Sequence, residues 1–194
     1  MADSQQRMGV EGLFYTGGSS PSTVVPRVYF EDNKGWYGEL RYNYEGPQTL
    51  SLYGGKTFAR QQDVSFSFTP MAGLLVGRLK GGSAGMNMGL EYKRLSIASL
   101  WQYTFLSGGP KLNFFYSWSE LGFRITEKVY AGLALQQTRL YGAAGNWDPG
   151  VEMSFLIQKW TFPLYLFNPI SNQRYFVIGV TREWKAKEPR IMNK

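Results

Sequence analysis

MNMGLEYKRLSIASLWQYTF, residues 86–105, alternates apolar and polar side chains on either side of a Lys93-Arg94 turn. Before the turn Met86, Met88, Leu90 and Tyr92 share one face, with Asn87, Gly89 and Glu91 opposite. After it Leu95, Ile97, Ser99, Trp101, Tyr103 and Phe105 face away from Ser96, Ala98, Leu100, Gln102 and Thr104. Period-two alternation over about ten residues each way, with aromatics near the strand ends, is the pattern of a membrane-spanning hairpin. The fold depends on whether the rest of the chain repeats it.

It does. Strands are expected at 9–16, 24–31, 36–44, 49–58, 63–79, 86–92, 95–105, 111–125, 129–141, 151–157, 160–167 and 174–184, twelve in all. The segment 63–79 is taken as one strand with an irregularity at Pro70, since proline cannot donate to the ladder. In 111–125, Leu112, Phe114, Tyr116 and Trp118 hold one register while Leu121, Phe123 and Ile125 hold the other. A bulge near Ser119-Glu120 would reconcile them; without one, Glu120 and Arg124 share the face of Trp118. No segment patterns as a helix.

The turns alternate in kind. Those at 32–35, 60–62, 93–94, 126–128 and 158–159 are compact and charged, whereas 17–23, 45–47, 80–83, 107–110, 142–150 and 168–173 are richer in Gly, Pro and Ser. That asymmetry, with an even strand number, fits an all-β, single up-and-down antiparallel transmembrane β-barrel over residues 9–184. A polar leader at 1–8 and a basic tail at 185–194 flank it. The leader lacks a secretory pattern, so an export signal is expected to have been removed.

Composition narrows the function. Of 194 residues, 13 are Phe, 13 Tyr and 6 Trp, with 23 Gly, a mixture suited to strands and turns. Mean hydropathy is −0.29, and no run approaches the roughly 18 apolar residues of a transmembrane helix. Cysteine and histidine are both absent, which removes thiolate chemistry, imidazole bases and most metal sites. No catalytic residue, metal site or cofactor is assigned. Glu120 and Arg124 are better explained as an ion pair than as catalytic groups. The net charge of +7 comes from bases scattered singly at turns and in the C-terminal segment, a distribution for lipid head groups rather than nucleic acid.

A soluble β-sandwich or ligand-binding barrel also makes alternating strands. Lipid is favoured because Trp36, Tyr42, Tyr44, Tyr92, Trp101, Tyr103 and Trp160 fall near strand ends on the apolar faces, as an aromatic girdle does. The opposite faces carry charges whose burial in a dry core would cost several kcal/mol each if unpaired.

On these residues the chain resembles the outer-membrane β-barrel class of Gram-negative bacteria. The last strand, RYFVIGVTREW, with Phe176, Ile178 and Val180 alternating around Gly179 and ending at Trp184, is similar to the assembly signal of such barrels, although ten residues follow it. The resemblance implies a bacterial outer-membrane location with lipid and lipopolysaccharide as neighbours; a complete aromatic belt would favour a monomer. Twelve-stranded members include sugar-acid channels, a phospholipase and a nucleoside channel; the sequence selects none, and the enzymes of the class use a histidine.

A passive pore for ions or small polar solutes is the first expectation, with lumen candidates Arg27, Glu31, Glu39, Arg41, Asn43, Asn87, Glu91, Gln102, Thr104, Glu120, Arg124 and Glu152. No loop is long enough for an obvious plug, and no arginine track is visible. The alternatives are a structural or adhesive barrel, with 142–150 its most recognition-like loop, and a soluble ligand-binding barrel.

Overall fold

The computed structural model describes residues 6–18 and 21–185. In chain order they form β1 (Arg7–Gly17), β2 (Thr23–Glu31), β3 (Trp36–Tyr42), β4 (Thr49–Lys56), β5 (Phe58–Arg60), β6 (Val64–Gly77), β7 (Gly81–Tyr92), β8 (Leu95–Leu106), β9 (Phe114–Arg124), β10 (Val129–Leu140), β11 (Asn146–Ile157), β12 (Trp160–Phe167) and β13 (Tyr175–Lys185). Sequence neighbours pair antiparallel except β4 and β5, which both pair with β6, and β1 pairs with β13. The sheet therefore closes on itself. A single 3-10 turn, Pro110–Leu112, is the one helical element among the described residues.

Thirteen segments make twelve staves, because β4 and β5 are one strand interrupted at Thr57. Both keep the same register against β6, with Gly55 opposite Met71 and Phe58 opposite Phe68. Pro70 lies in the gap and has no N–H to complete the ladder. On the side facing β3 the ladder continues, the Thr57 N–H donating to the Gly35 carbonyl at 2.8 Å. The irregularity expected at Pro70 thus breaks its partner strand, and β6 itself runs through.

Side-chain polarity is inverted relative to a water-soluble barrel. Leu52, Leu74, Phe66, Leu133, Met153 and Ile178 are exposed on the outer face, while Glu39, Arg41, Gln102 and Thr104 are buried inside. Charged residues seldom bury fully without partners, and monomeric soluble proteins rarely expose continuous apolar surface. An outer wall meeting lipid and a polar interior satisfy both constraints. The compact turns gather at one end, here the turn end; the Gly/Pro/Ser-rich connections gather at the other, the loop end.

Several boundaries differ from expectation. β1 begins at Arg7, inside the expected leader, because Arg7 is anchored to Glu31 at 2.8 Å. The expected tail lies outside the described residues from 186 onward, and Lys185 ends β13. β7 begins at Gly81, so 81–83 belong to the sheet. β11 begins at Asn146, leaving residues 141–145 as the connection. Trp147 and Asp148 are therefore strand residues on opposite faces, paired with Gln137 and Gln136.

Candidate functional site: the lumen

The strand β9 decides what the lumen contains. Its register is continuous against both neighbours: Phe114 to Phe123 oppose Thr104 to Leu95, and Phe114 to Arg124 oppose Leu140 to Tyr130. There is no bulge at Ser119-Glu120. Phe114, Tyr116 and Trp118 consequently point inward, and Leu121 and Phe123 outward.

Those inward rings join others into a layer across the barrel. Trp118 packs edge-on to Tyr165 and Phe167, with centroids 5.1 Å apart in each case, and Phe167 stacks on Tyr175 at 5.1 Å. Tyr116 meets Tyr44 from the far wall. Buried apolar side chains form two clusters, one centred on Phe167 and Val177, the other on Tyr53 and Tyr116. Tyr44 and Trp118 pack against both. Edge and offset contacts of this kind add roughly 0.5–1.5 kcal/mol per pair beyond area burial.

Beside this layer a charged network spans the lumen. The Arg41 guanidinium is fully buried. It bonds Glu39, donates to Gln102 Oε1 at 2.7 Å and approaches Glu45 Oε1 at 3.4 Å. It also lies between the rings of Tyr44 and Tyr53, at 4.4 and 4.3 Å from their centroids. Glu45 in turn accepts from Ser51 and from the Tyr53 hydroxyl at 2.9 Å. A planar guanidinium suits such a site, pairing in its plane and stacking on its faces. A second network ties the turn end, where Arg7 sits between Glu31 and Glu183, and Tyr29 donates to Glu183 at 2.8 Å.

Cavities lie on either side of the aromatic layer. Toward the loop end lies a cavity of about 320 Å³ walled by Tyr15, Gln136, Asn146, Asp148, Gln173 and Tyr175, among others. Asp148 is its hub, accepting from Asn168 at 2.7 Å, from Asn146 at 3.1 Å and from Tyr175 at 3.4 Å. Toward the turn end lies a cavity of about 260 Å³ that includes Glu120, Glu152, Tyr130 and Ser154. Glu120 fastens its roof, accepting from Trp118 Nε1 at 2.6 Å and from the Tyr165 hydroxyl at 2.7 Å. Among the described residues no Lys or Arg lines either cavity.

Of the residues the sequence nominated for the lumen, Arg27, Glu31, Glu39, Arg41, Asn87, Gln102, Thr104, Glu120 and Glu152 point inward. Arg27 pairs with Glu11 at 3.1 Å. Glu91 and Arg124 have inward register but sit exposed at the turn-end rim. Arg124 donates to the Lys93 carbonyl at 2.6 Å, so it makes no ion pair with Glu120. Asn43 does not face the lumen: with φ of 59° it ends the alternation of β3, and its side chain bonds Val24 O and the Gln48 N–H. That reversal turns Tyr44 inward, removing it from the expected girdle. The other girdle candidates, Trp36, Tyr42, Tyr92, Trp101, Tyr103 and Trp160, keep the outward register.

Sequence reasoning missed Glu11, Glu45, Tyr53, Tyr165, Phe167 and Tyr175 as lumen residues. Tyr53 was signalled by its alternation with Leu50 and Leu52. Glu45 had no periodic signal, because it enters from a turn.

No family model and no curated protein sequence matches the chain. Solved structures share its fold. The KdgM porin is 12% identical with a TM-score of 0.63, over 90% of this chain and 98% of that one. The same porin in complex with disordered oligogalacturonate gives 0.64 at 12% identity, over 90% and 98%. The NanC porin in a rhombohedral crystal form gives 0.56 at 8% identity, over 93% and 100%. The chain has the fold of small outer-membrane porins, and at these identities the likeness is one of fold.

Proposed function

We propose that the chain is a monomeric outer-membrane channel for small neutral or cationic polar solutes, narrowed at mid-barrel by side chains rather than by a loop. The observation that carries this reading is the lumen's arrangement: two polar cavities toward opposite ends of the barrel, with the Trp118–Tyr165–Phe167 layer between them. Their walls offer amides, hydroxyls and the carboxylates of Asp148, Glu120 and Glu152. An anion entering from the loop end would meet Asp148 with no cation on the cavity wall to pair it, so uronate-like solutes are disfavoured. The aromatic rings offer flat apolar faces against which a sugar ring or organic cation can slide. The loop end faces outward in this assignment, with the start of β1 and the end of β13 on the periplasmic side.

A second reading has its own observation. The Arg41 network and the Tyr44–Tyr116 contact fill the lumen beside β3 and β4, as a closed scaffold barrel would. Planar-bilayer recording separates the two. The channel gives discrete steps with a cation preference in a salt gradient. Absence of steps from both the wild type and Tyr44→Ala leaves the scaffold.

A further inference from the structure

A cavity of about 440 Å³ lies outside the barrel, bounded by Tyr103, Phe115, Gln137, Arg139 and the connection through Tyr141 and Gly142. Tyr103, Phe115 and Arg139 are direct cross-strand neighbours in one outward row, and Gln137 is on the same face one row nearer the turn end. On this wall the outward positions are otherwise mostly apolar, so a guanidinium and an amide side by side need explaining. Arg139 Nε donates to the Ala143 carbonyl at 3.2 Å. Its terminal nitrogens have no protein partner among the described residues.

The rim above supplies a second observation. The three connections over β6–β10 contain Arg78, Lys80 and Lys111, all exposed, and neither Asp nor Glu occurs in residues 77–81, 106–114 or 140–146. Cations clustered without counter-charge at the edge of a lipid-facing wall attract an anionic surface. The opposite end shows what a simple interfacial arginine looks like. There Arg182 is sandwiched between Trp160 and Trp184, 5.0 and 4.9 Å from the ring centroids.

We propose that the outer wall of β8–β10 at the loop end binds the phosphorylated saccharide headgroup of an outer-leaflet glycolipid. Arg139 and Gln137 contact the phosphate and sugar, and Tyr103 and Phe115 form the floor. This rests on the outer-membrane orientation given above. A phosphate matches the guanidinium through paired charge-assisted hydrogen bonds, sugar hydroxyls match the amide, and the acyl chains lie along the apolar wall below.

Native mass spectrometry of the detergent-purified full chain tests it, using lipid A, dephosphorylated lipid A and phosphatidylglycerol as probes. The readout needs no conduction, so it stands apart from the channel reading. One lipid A should be retained, with retention falling about tenfold in Arg139→Ala and on dephosphorylation. Arg182→Ala should leave it unchanged. Heat-modifiable gel migration verifies that each variant folds, and Gln137→Leu probes the same cavity should Arg139→Ala not fold. Equal retention by wild type and the cavity variants, equal retention of phosphatidylglycerol, or a lipid-free dimer burying this wall would each overturn the site.

Discussion

The Tyr44 ring meets the Tyr116 ring edge-on, centroids 5.6 Å apart and planes at 79°, although β3 and β9 stand on nearly opposite walls of the barrel. Tyr44 reaches that far because Asn43, at positive φ, redirects the chain inward just as β3 ends. A two-residue local event thus sets the width of the lumen. Tyr44→Ala is expected to raise single-channel conductance severalfold, since it removes the ring that reaches across the lumen to Tyr116. Unchanged conductance in a bilayer recording would remove Tyr44 from the constriction.

The Arg41 site should respond asymmetrically. Arg41→Met leaves Glu39 buried without its partner and is expected to cost about 3–5 kcal/mol. Removing the Glu39 charge as well, as in Glu39→Gln with Arg41→Met, should recover part of that loss because the two residues are coupled, the rest staying with buried Glu45, which loses its cation in both variants. Urea midpoints in detergent micelles, followed by tryptophan fluorescence, measure the cycle. Additive single and double effects would show that the pair does not act as a unit.

The barrel was legible because alternation is dictated wherever one face meets lipid and the other does not. The hairpin 86–105 and the two classes of turn were readable, whereas the irregularity expected at Pro70 within 63–79 fell in the strand opposite it. The constriction of the lumen was not legible, for three physical reasons. Asn43 left the extended region, and period two carries no information past such a residue. In β9 both faces are aromatic or apolar, so pattern alone could not say which set was inside; only the register against β8 and β10 does. The contacts Arg41–Gln102 and Tyr44–Tyr116 join residues far apart in sequence, across a space whose width depends on tilt and closure of the whole sheet.

Asp148 should set ion preference at the loop end. Its carboxylate collects the Asn146, Asn168 and Tyr175 donors, and Asp148→Asn keeps the shape while removing the charge. Cation selectivity, read as the reversal potential in a KCl gradient, is expected to move toward zero. A potential identical to wild type would place the selectivity elsewhere in the lumen.

Gly179 tests whether the last strand's mid-point glycine is a packing requirement. Within β13 it faces inward opposite Leu13 of β1. A Cβ there would come within 2.5 Å of Pro163 Cγ and 3.0 Å of Leu13 Cδ2. Pro163 is rigid, so the added carbon must displace β12 or β13 near the seam where the barrel closes. Gly179→Val is expected to destabilise by about 1–3 kcal/mol through overpacking and to lower folded yield. Gly12→Ala is the matched control one position from Leu13, because its Cβ would find Val180 Cγ1 at an ordinary 3.6 Å. That variant should be neutral or slightly stabilising, since glycine within a strand costs roughly 0.5–1 kcal/mol relative to alanine. Equal folded fractions of the two variants on a heat-modifiability gel would show that the seam has room to spare, and that Gly179 is not there for packing.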